Sequence, residues 1–268
     1  MINAFRKSRI ACWTVRAAAL AIIAFLWYHD RNYPIYIPIV ASILTIGIGY
    51  FLSKLLGNII SSTENTKALG YLHMELNPQK FIACYKDVPG KIKSGTQDRA
   101  VTSSYLADGY LSMNDPKKAL ETLEAGFKDV PLENKTSLQG LYHTCRSAYL
   151  IELGEYDQTA RELEILRNVI LSCGENRALA DNLNTTLKIR EAELNILKGE
   201  TVPDREWLNK LISRSTYNLR RLELYKTLAD DAILRKDRTE ALHRLRKMEE
   251  EGGKTRFADY AKAKRKEL

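Results

Sequence analysis

LADGYLSMNDPKKALETLEAGFKDVP, from Leu106 to Pro131, decides the fold of this chain. Asp115-Pro116 divides the stretch. The aspartate can accept from the free N–H groups of a helix's first turn, and proline is tolerated at the first helical position, where its missing N–H is not needed. Apolar and small residues recur at helical spacing on both sides. Ala107 and Ala119 are small enough to let two antiparallel helices approach, Leu106, Tyr110 and Leu123 fill the seam, and Pro131 stops the second helix. The segment reads as a helical hairpin.

The same register returns in LADDAILRKDRTEALHRLRKM, with Leu228, Ala229, Ala232, Ala241, Leu245 and Met248 in the corresponding places. The offset from 110 to 119 equals that from 232 to 241. A third copy, AYLIELGEYDQTARELEIL, keeps Gly154 and Tyr156 but carries Thr159 at the small-residue position. A more degenerate pair covers 66–88 around LNPQKFIACY, where Asn77-Pro78 repeats the cap-and-proline signal. Gly154, Gly174 and Gly199 mark helix ends that need a left-handed residue. Further stripes run through Leu138, Leu141, Tyr142, Cys145 and Tyr149, and through Tyr156, Ala160, Leu163, Leu166 and Ile170. No run alternates with period two for long enough to make a sheet. The pattern predicts about eleven short helices over residues 57–268.

On these positions the chain resembles tetratricopeptide-repeat proteins over most of 64–250. The resemblance implies an all-α, irregular α-solenoid of antiparallel helix pairs. Its irregularity follows from the separation of 106 and 228, which is no multiple of the 34-residue family period. A generic helical bundle is the alternative. The resemblance further implies a concave groove built from the first helix of each pair, with Ser104, Asp108 and Leu111 facing a protein or peptide ligand. Relatives that clamp a C-terminal carboxylate carry Lys and Asn there; Ser104 and Asp108 depart from that pattern, so that ligand is not carried over.

The first 56 residues differ in kind. Tyr33 to Ser53, YPIYIPIVASILTIGIGYFLS, is 21 residues without a charge. At 1.5 Å rise per residue this spans the hydrocarbon thickness of a bilayer. Residues 10–28 are apolar except for Arg16, whose long side chain can snorkel to the headgroups. A cleaved signal peptide is the competing reading of this segment, given the basic Arg6, Lys7 and Arg9. No small-residue cleavage site follows Leu26, however, and a second span comes at once. The two spans (10–28 and 33–53) predict a transmembrane hairpin joined by His29, Asp30, Arg31 and Asn32 and flanked by Trp27, Tyr28, Tyr33 and Tyr36. Basic residues concentrate outside the turn, so the positive-inside rule places both termini in the cytosol. Gly47 and Gly49 permit close helix packing. The expectation is a multi-pass protein of the bacterial plasma (inner) membrane, with residues 57–268 cytosolic.

Net charge is +5 over residues 1–56, −3 over 57–200 and +6 over 201–268. The basic C-terminal third could contact anionic lipid, and nucleic acid through Arg214, Arg220, Arg221, Arg244, Arg246, Lys262 and Lys264 is the less favoured reading; a solvated surface is the plainest. The chemistry of active sites is missing from the sequence. The four histidines stand apart with no HExxH, no GxSxG marks a nucleophile, and Cys84, Cys145 and Cys173 fall on apolar faces. Gly252-Gly253-Lys254-Thr255 imitates a phosphate loop, but Met248 stands where its first glycine must be. Asp230-Asp231 and Glu249-Glu250-Glu251 read as solvated faces. The expected function is a membrane-anchored adaptor or scaffold, without catalysis, metal or cofactor, that binds a protein or peptide. The alternative is an accessory subunit of a membrane transporter or peptidase complex, assembled through the hairpin with Arg16 seeking an acidic partner.

Overall fold

The computed structural model describes residues 2–29 and 36–268, and the side chains of residues 8–28 and 39–268. The expected turn of Asp30, Arg31 and Asn32 and its neighbour Tyr33 lie outside the described residues. All regular structure among them is helical. The chain divides into two compact units, Met1–Ala68 and Leu69–Leu268.

The first unit holds α1 (Ile2–His29) and most of α2 (Tyr36–His73), whose residues from Leu69 onward belong to the second unit; both helices are long and apolar enough to cross a membrane. Their apolar side chains, among them Trp13, Leu20, Phe25, Ile43 and Phe51, are mostly exposed rather than gathered into a core. Gly49 allows close approach, since a Cβ there would meet the Ala19 Cβ at 2.9 Å; around Gly47 there is open space. The Cys12 thiol donates to the Ser53 carbonyl at 3.1 Å and the Trp27 indole to Ser42 Oγ at 3.0 Å, so the two helices are bonded as well as packed. Arg16 is exposed on α1. The second helix carries on past Ser53 to His73, so residues 57–73 extend it instead of forming a separate helix.

Ten α-helices follow: α3 (Pro78–Tyr85), α4 (Gln97–Ser112), α5 (Pro116–Phe127), α6 (Thr136–Leu153), α7 (Tyr156–Leu171), α8 (Arg177–Leu197), α9 (Arg205–Arg214), α10 (Asn218–Leu234), α11 (Arg238–Glu251) and α12 (Arg256–Glu267). Their starts are fixed by local chemistry. Asn77 Oδ1 accepts from the Lys80 N–H, and Asp115 Oδ1 from the Lys118 N–H, each at 3.1 Å with proline next in the chain. Gly154 ends α6 in the left-handed conformation at φ +76°.

Helices pack as hairpins in α4/α5, α6/α7 and α10/α11, while α9 packs on α10. In the first hairpin Ala107, Ala119 and Leu123 are fully buried, with Leu106 and Leu111 nearly so. Tyr110 is only partly buried, its ring under the Lys118 ammonium. Gly126 lies so close to Ser103 that no Cβ fits there. In α10/α11, Leu228, Ala229, Ala232, Ala241, Leu245 and Met248 are all inaccessible. Thr159 is buried as well and satisfies its hydroxyl on the Glu155 carbonyl at 2.9 Å, which lets a polar residue stand in for a small one.

The reading of the acidic pair Asp230-Asp231 changes. Asp231 is fully buried, not solvated: its oxygens accept from the Val202 N–H at 2.7 Å and from Arg235 Nε at 2.8 Å, one helical turn away. Those bonds replace the water a buried carboxylate loses. Gly252-Gly253-Lys254-Thr255 has a different use from phosphate binding. Gly253 adopts φ +58° and the Lys254 N–H donates to the Leu76 carbonyl at 3.0 Å, while Asn218 Nδ2 donates to the Met74 carbonyl at 2.7 Å. The last turns of this unit are thereby bonded back to its first.

Candidate functional site

Four helices, α4, α6, α8 and α10, contact one another in chain order, and three of them, α4, α6 and α10, open a hairpin. Together with α12 and the end of α2 they line a cavity of about 420 Å³. Leu111 and Asp108 of α4 face it, with Thr144, Cys145 and Ala148 of α6, Arg190 of α8, Arg220 and Glu223 of α10, and Arg256 of α12. Helical periodicity explains the set: 108 and 111, 141, 144, 145 and 148, and 182, 186 and 190 each recur every third or fourth residue on one face. Ser104 is not part of this lining. It is buried one turn away, and its hydroxyl donates to the Val101 carbonyl at 2.8 Å.

The guanidinium groups in the wall are each matched. Arg190 lies 2.6 Å from Glu193 and 3.9 Å from Glu223; Arg220 lies 2.9 Å from Glu223; Arg256 lies 2.6 Å from Glu152. Burial works to raise the Glu223 carboxyl, but Arg190 and Arg220 more than offset it and hold it below the usual glutamate range. Burial and Arg256 act on Glu152 in the same opposed way, again with a net lowering.

Asp108 is different. Burial pushes its carboxyl up to about 6, although the Tyr149 hydroxyl, donating to Oδ1 at 2.7 Å, pulls the other way. Among the described residues no Lys, Arg or His nitrogen lies within ion-pair distance of it. Burial also raises the Cys145 thiol and lowers the His73 imidazole, so both favour the neutral form in the cavity wall. Arg190 Nε, Arg256 Nε and Thr144 Oγ1 are buried without a hydrogen-bond partner. Among the described residues no three His, Cys, Asp or Glu side chains converge in a way that could hold a metal ion.

Of the basic residues in the C-terminal third, Arg220, Arg221, Arg244 and Lys264 each have a carboxylate within 2.7–3.4 Å. These carboxylates all belong to the same third of the chain, so the pairs fix these four side chains in place and leave the net charge of +6 over residues 201–268 as it was. Sequence reasoning placed Asp108 and Leu111 toward a groove, but it did not find Arg190, Glu223, Arg256 or Tyr149. These come from four different helices, and no local spacing links them. A second polar cluster was equally hidden: His143 Nδ1 and Arg146, both on α6, converge on the buried Glu162 of α7. Comparison of the chain with family models, curated proteins and solved structures gives no match in any of the three.

Proposed function

We propose that this chain is a membrane-anchored, tetratricopeptide-like adaptor whose helical domain binds a protein or peptide segment in the cavity between α4, α6, α8 and α10. The observation that carries this reading is the sharing of one cavity, with a mixed apolar and charged wall, by four helices that follow one another in contact, three of which open a hairpin. That is the surface an α-solenoid would present as its concave face. A volume of about 420 Å³ suits a few residues of an extended segment and falls within the range of ligand pockets. The apolar, outward-facing α1 and α2 support a two-span anchor, and the basic residues around it favour both termini in the cytosol of a bacterial cell. Anchoring would raise the local concentration of the domain at the membrane without any catalytic step.

A photo-cross-linking residue placed at Leu141 of the full chain, in the cavity wall, tests the reading in intact cells. Leu171, which is 81% exposed and lies outside the cavity, is the control position. Capture of a discrete partner from Leu141 but not from Leu171 is expected. The second reading, a subunit assembled through its membrane hairpin, is favoured by Arg16, a charged and exposed residue on an apolar helix. It predicts capture from position 16 and none from 141. Reporter fusions at residue 31 and at the C-terminus test the topology and should report outside and inside.

A further inference from the structure

The charges of the cavity leave one group over. Arg190, Arg220 and Arg256 are matched by Glu193, Glu223 and Glu152, so the three cations in the wall are already neutralised by three carboxylates. Asp108 is the remainder. It lines the same cavity, spends one oxygen on the Tyr149 hydroxyl and, among the described residues, has no cation within ion-pair distance, Arg190 acting on it only from farther off. A carboxylate partly withdrawn from water with no counter-ion in contact is costly, and proteins ordinarily pair or replace such groups. Asparagine would keep the Tyr149 bond without that cost. We infer that Asp108 is the subsite for a cationic group of the ligand, the ammonium or guanidinium of a Lys or Arg side chain carried by the bound peptide segment. This deepens the peptide-binding reading and rests on it for the ligand's identity.

The surroundings suit such a group. Leu111, Cys145 and Ala148 lie in the same wall and can cover the aliphatic stem of a lysine. The guanidinium groups do not simply repel it, because each sits against its own carboxylate. An anionic ligand would find the Nε groups of Arg190 and Arg256 without hydrogen-bond partners, but their charge is already met by Glu193 and Glu152, and Asp108 would oppose it.

The test uses the full chain in detergent micelles. In the first arm n-butylammonium, a lysine side chain without its backbone, is titrated while the methyl resonances of Leu111 and Ala148 are followed, with n-butanol as the neutral control. A saturable shift is expected with the ammonium ion alone, at least tenfold weaker in Asp108→Asn and retained in Asp108→Glu. A response that is absent, or equal in Asp108→Asn and the parent, overturns the inference. In the second arm random heptapeptide pools with a fixed central Lys, Gln or Glu are passed over the immobilised chain. At least tenfold retention of the Lys pool over the Glu pool, lost in Asp108→Asn, is expected. Retention without such a preference overturns the cation subsite and leaves peptide binding standing. Retention of no pool, with n-butylammonium still bound at Asp108, overturns peptide binding and leaves the subsite. Thermal melts of both variants show that they are folded.

Discussion

The Tyr149 hydroxyl of α6 donates to Asp108 Oδ1 of α4 at 2.7 Å, joining two inner helices at the wall of the cavity. Removing the hydroxyl leaves a poorly solvated carboxylate without its donor. Tyr149→Phe should therefore cost about 1–3 kcal/mol at neutral pH. It should also move the Asp108 carboxyl above its present value of about 6, because the hydrogen bond favours the ionised form. A denaturant series and a carboxyl-resolved NMR titration check the two parts separately.

Asp108 also gives the stability a definite pH dependence. Its folded pKa, about 6, stands above the ordinary 3.8, so the folded chain holds this proton more tightly than the unfolded one. The contribution is fully present below about pH 4 and is lost as pH rises through 6, amounting to up to ~3 kcal/mol. Asp108→Asn should abolish that loss and melt higher than the parent at pH 7.5, while the two converge near pH 4.5. Melting curves at the two pH values, in one detergent, measure the difference. A parent that is the more stable of the two at pH 7.5 would contradict the assignment.

What the sequence made legible was local. Asn77-Pro78, Asp115-Pro116 and Gly154 act within one turn of themselves, so their roles can be read without knowing what the helices touch. The stripe from Leu228 to Met248 is legible for a related reason: apolar residues at helical spacing have to face something. The cavity was mostly not legible. Tyr149, Arg190, Glu223 and Arg256 belong to four helices, and each looks like an ordinary polar residue on its own helix. Only packing shows that Asp108 has no counter-ion and that Arg256 has one. Asp231 was misread for the same reason, since its two donors include the Val202 N–H, remote in sequence.

The α4/α5 hairpin depends on Gly126. A side chain there would overlap the Ser103 Cβ and Oγ of the facing helix. Gly126→Ala should gain helix propensity yet lose about 1–3 kcal/mol net, the usual cost of overpacking. Adding Ser103→Gly should recover part of that loss by removing the obstructing side chain. Chemical denaturation of the two single variants and the double variant gives the coupling between the sites. Additive losses would rule out the steric account.

The pair of Arg256 and Glu152 ties α12 to α6 at 2.6 Å, with Lys226 3.9 Å from the same glutamate. Arg256→Ala would leave Glu152 largely buried with the weaker partner alone. A loss of about 3 kcal/mol is expected, in the range for breaking one side of a buried pair. The Glu152 carboxyl is now held below its ordinary range, so the stability it brings is present above pH 4.5 and is lost as pH falls through its folded pKa. The Arg256→Ala loss should accordingly shrink at low pH, which melts across pH 3–7 would reveal. A loss independent of pH would point to packing on Phe257, 4.8 Å from the guanidinium, instead of charge.

Gly253 carries the closure of the helical domain, and two separate costs meet there. Its φ of +58° lies in the left-handed region, and a Cβ would come within 2.9 Å of the Leu76 carbonyl oxygen. Gly174 offers the first cost without the second, having φ +56° and open space around it. Gly174→Ala should therefore lose only the conformational part, about 1 kcal/mol. Gly253→Ala should lose more, because the Lys254 N–H to Leu76 bond is strained as well. Gly90, with neither constraint, should tolerate alanine within about 0.5 kcal/mol. Denaturation of the three variants ranks them. Equal losses at 253 and 174 would mean that the chain end is free to move away from Leu76, and that the cavity wall formed by α12 is not fixed by this contact.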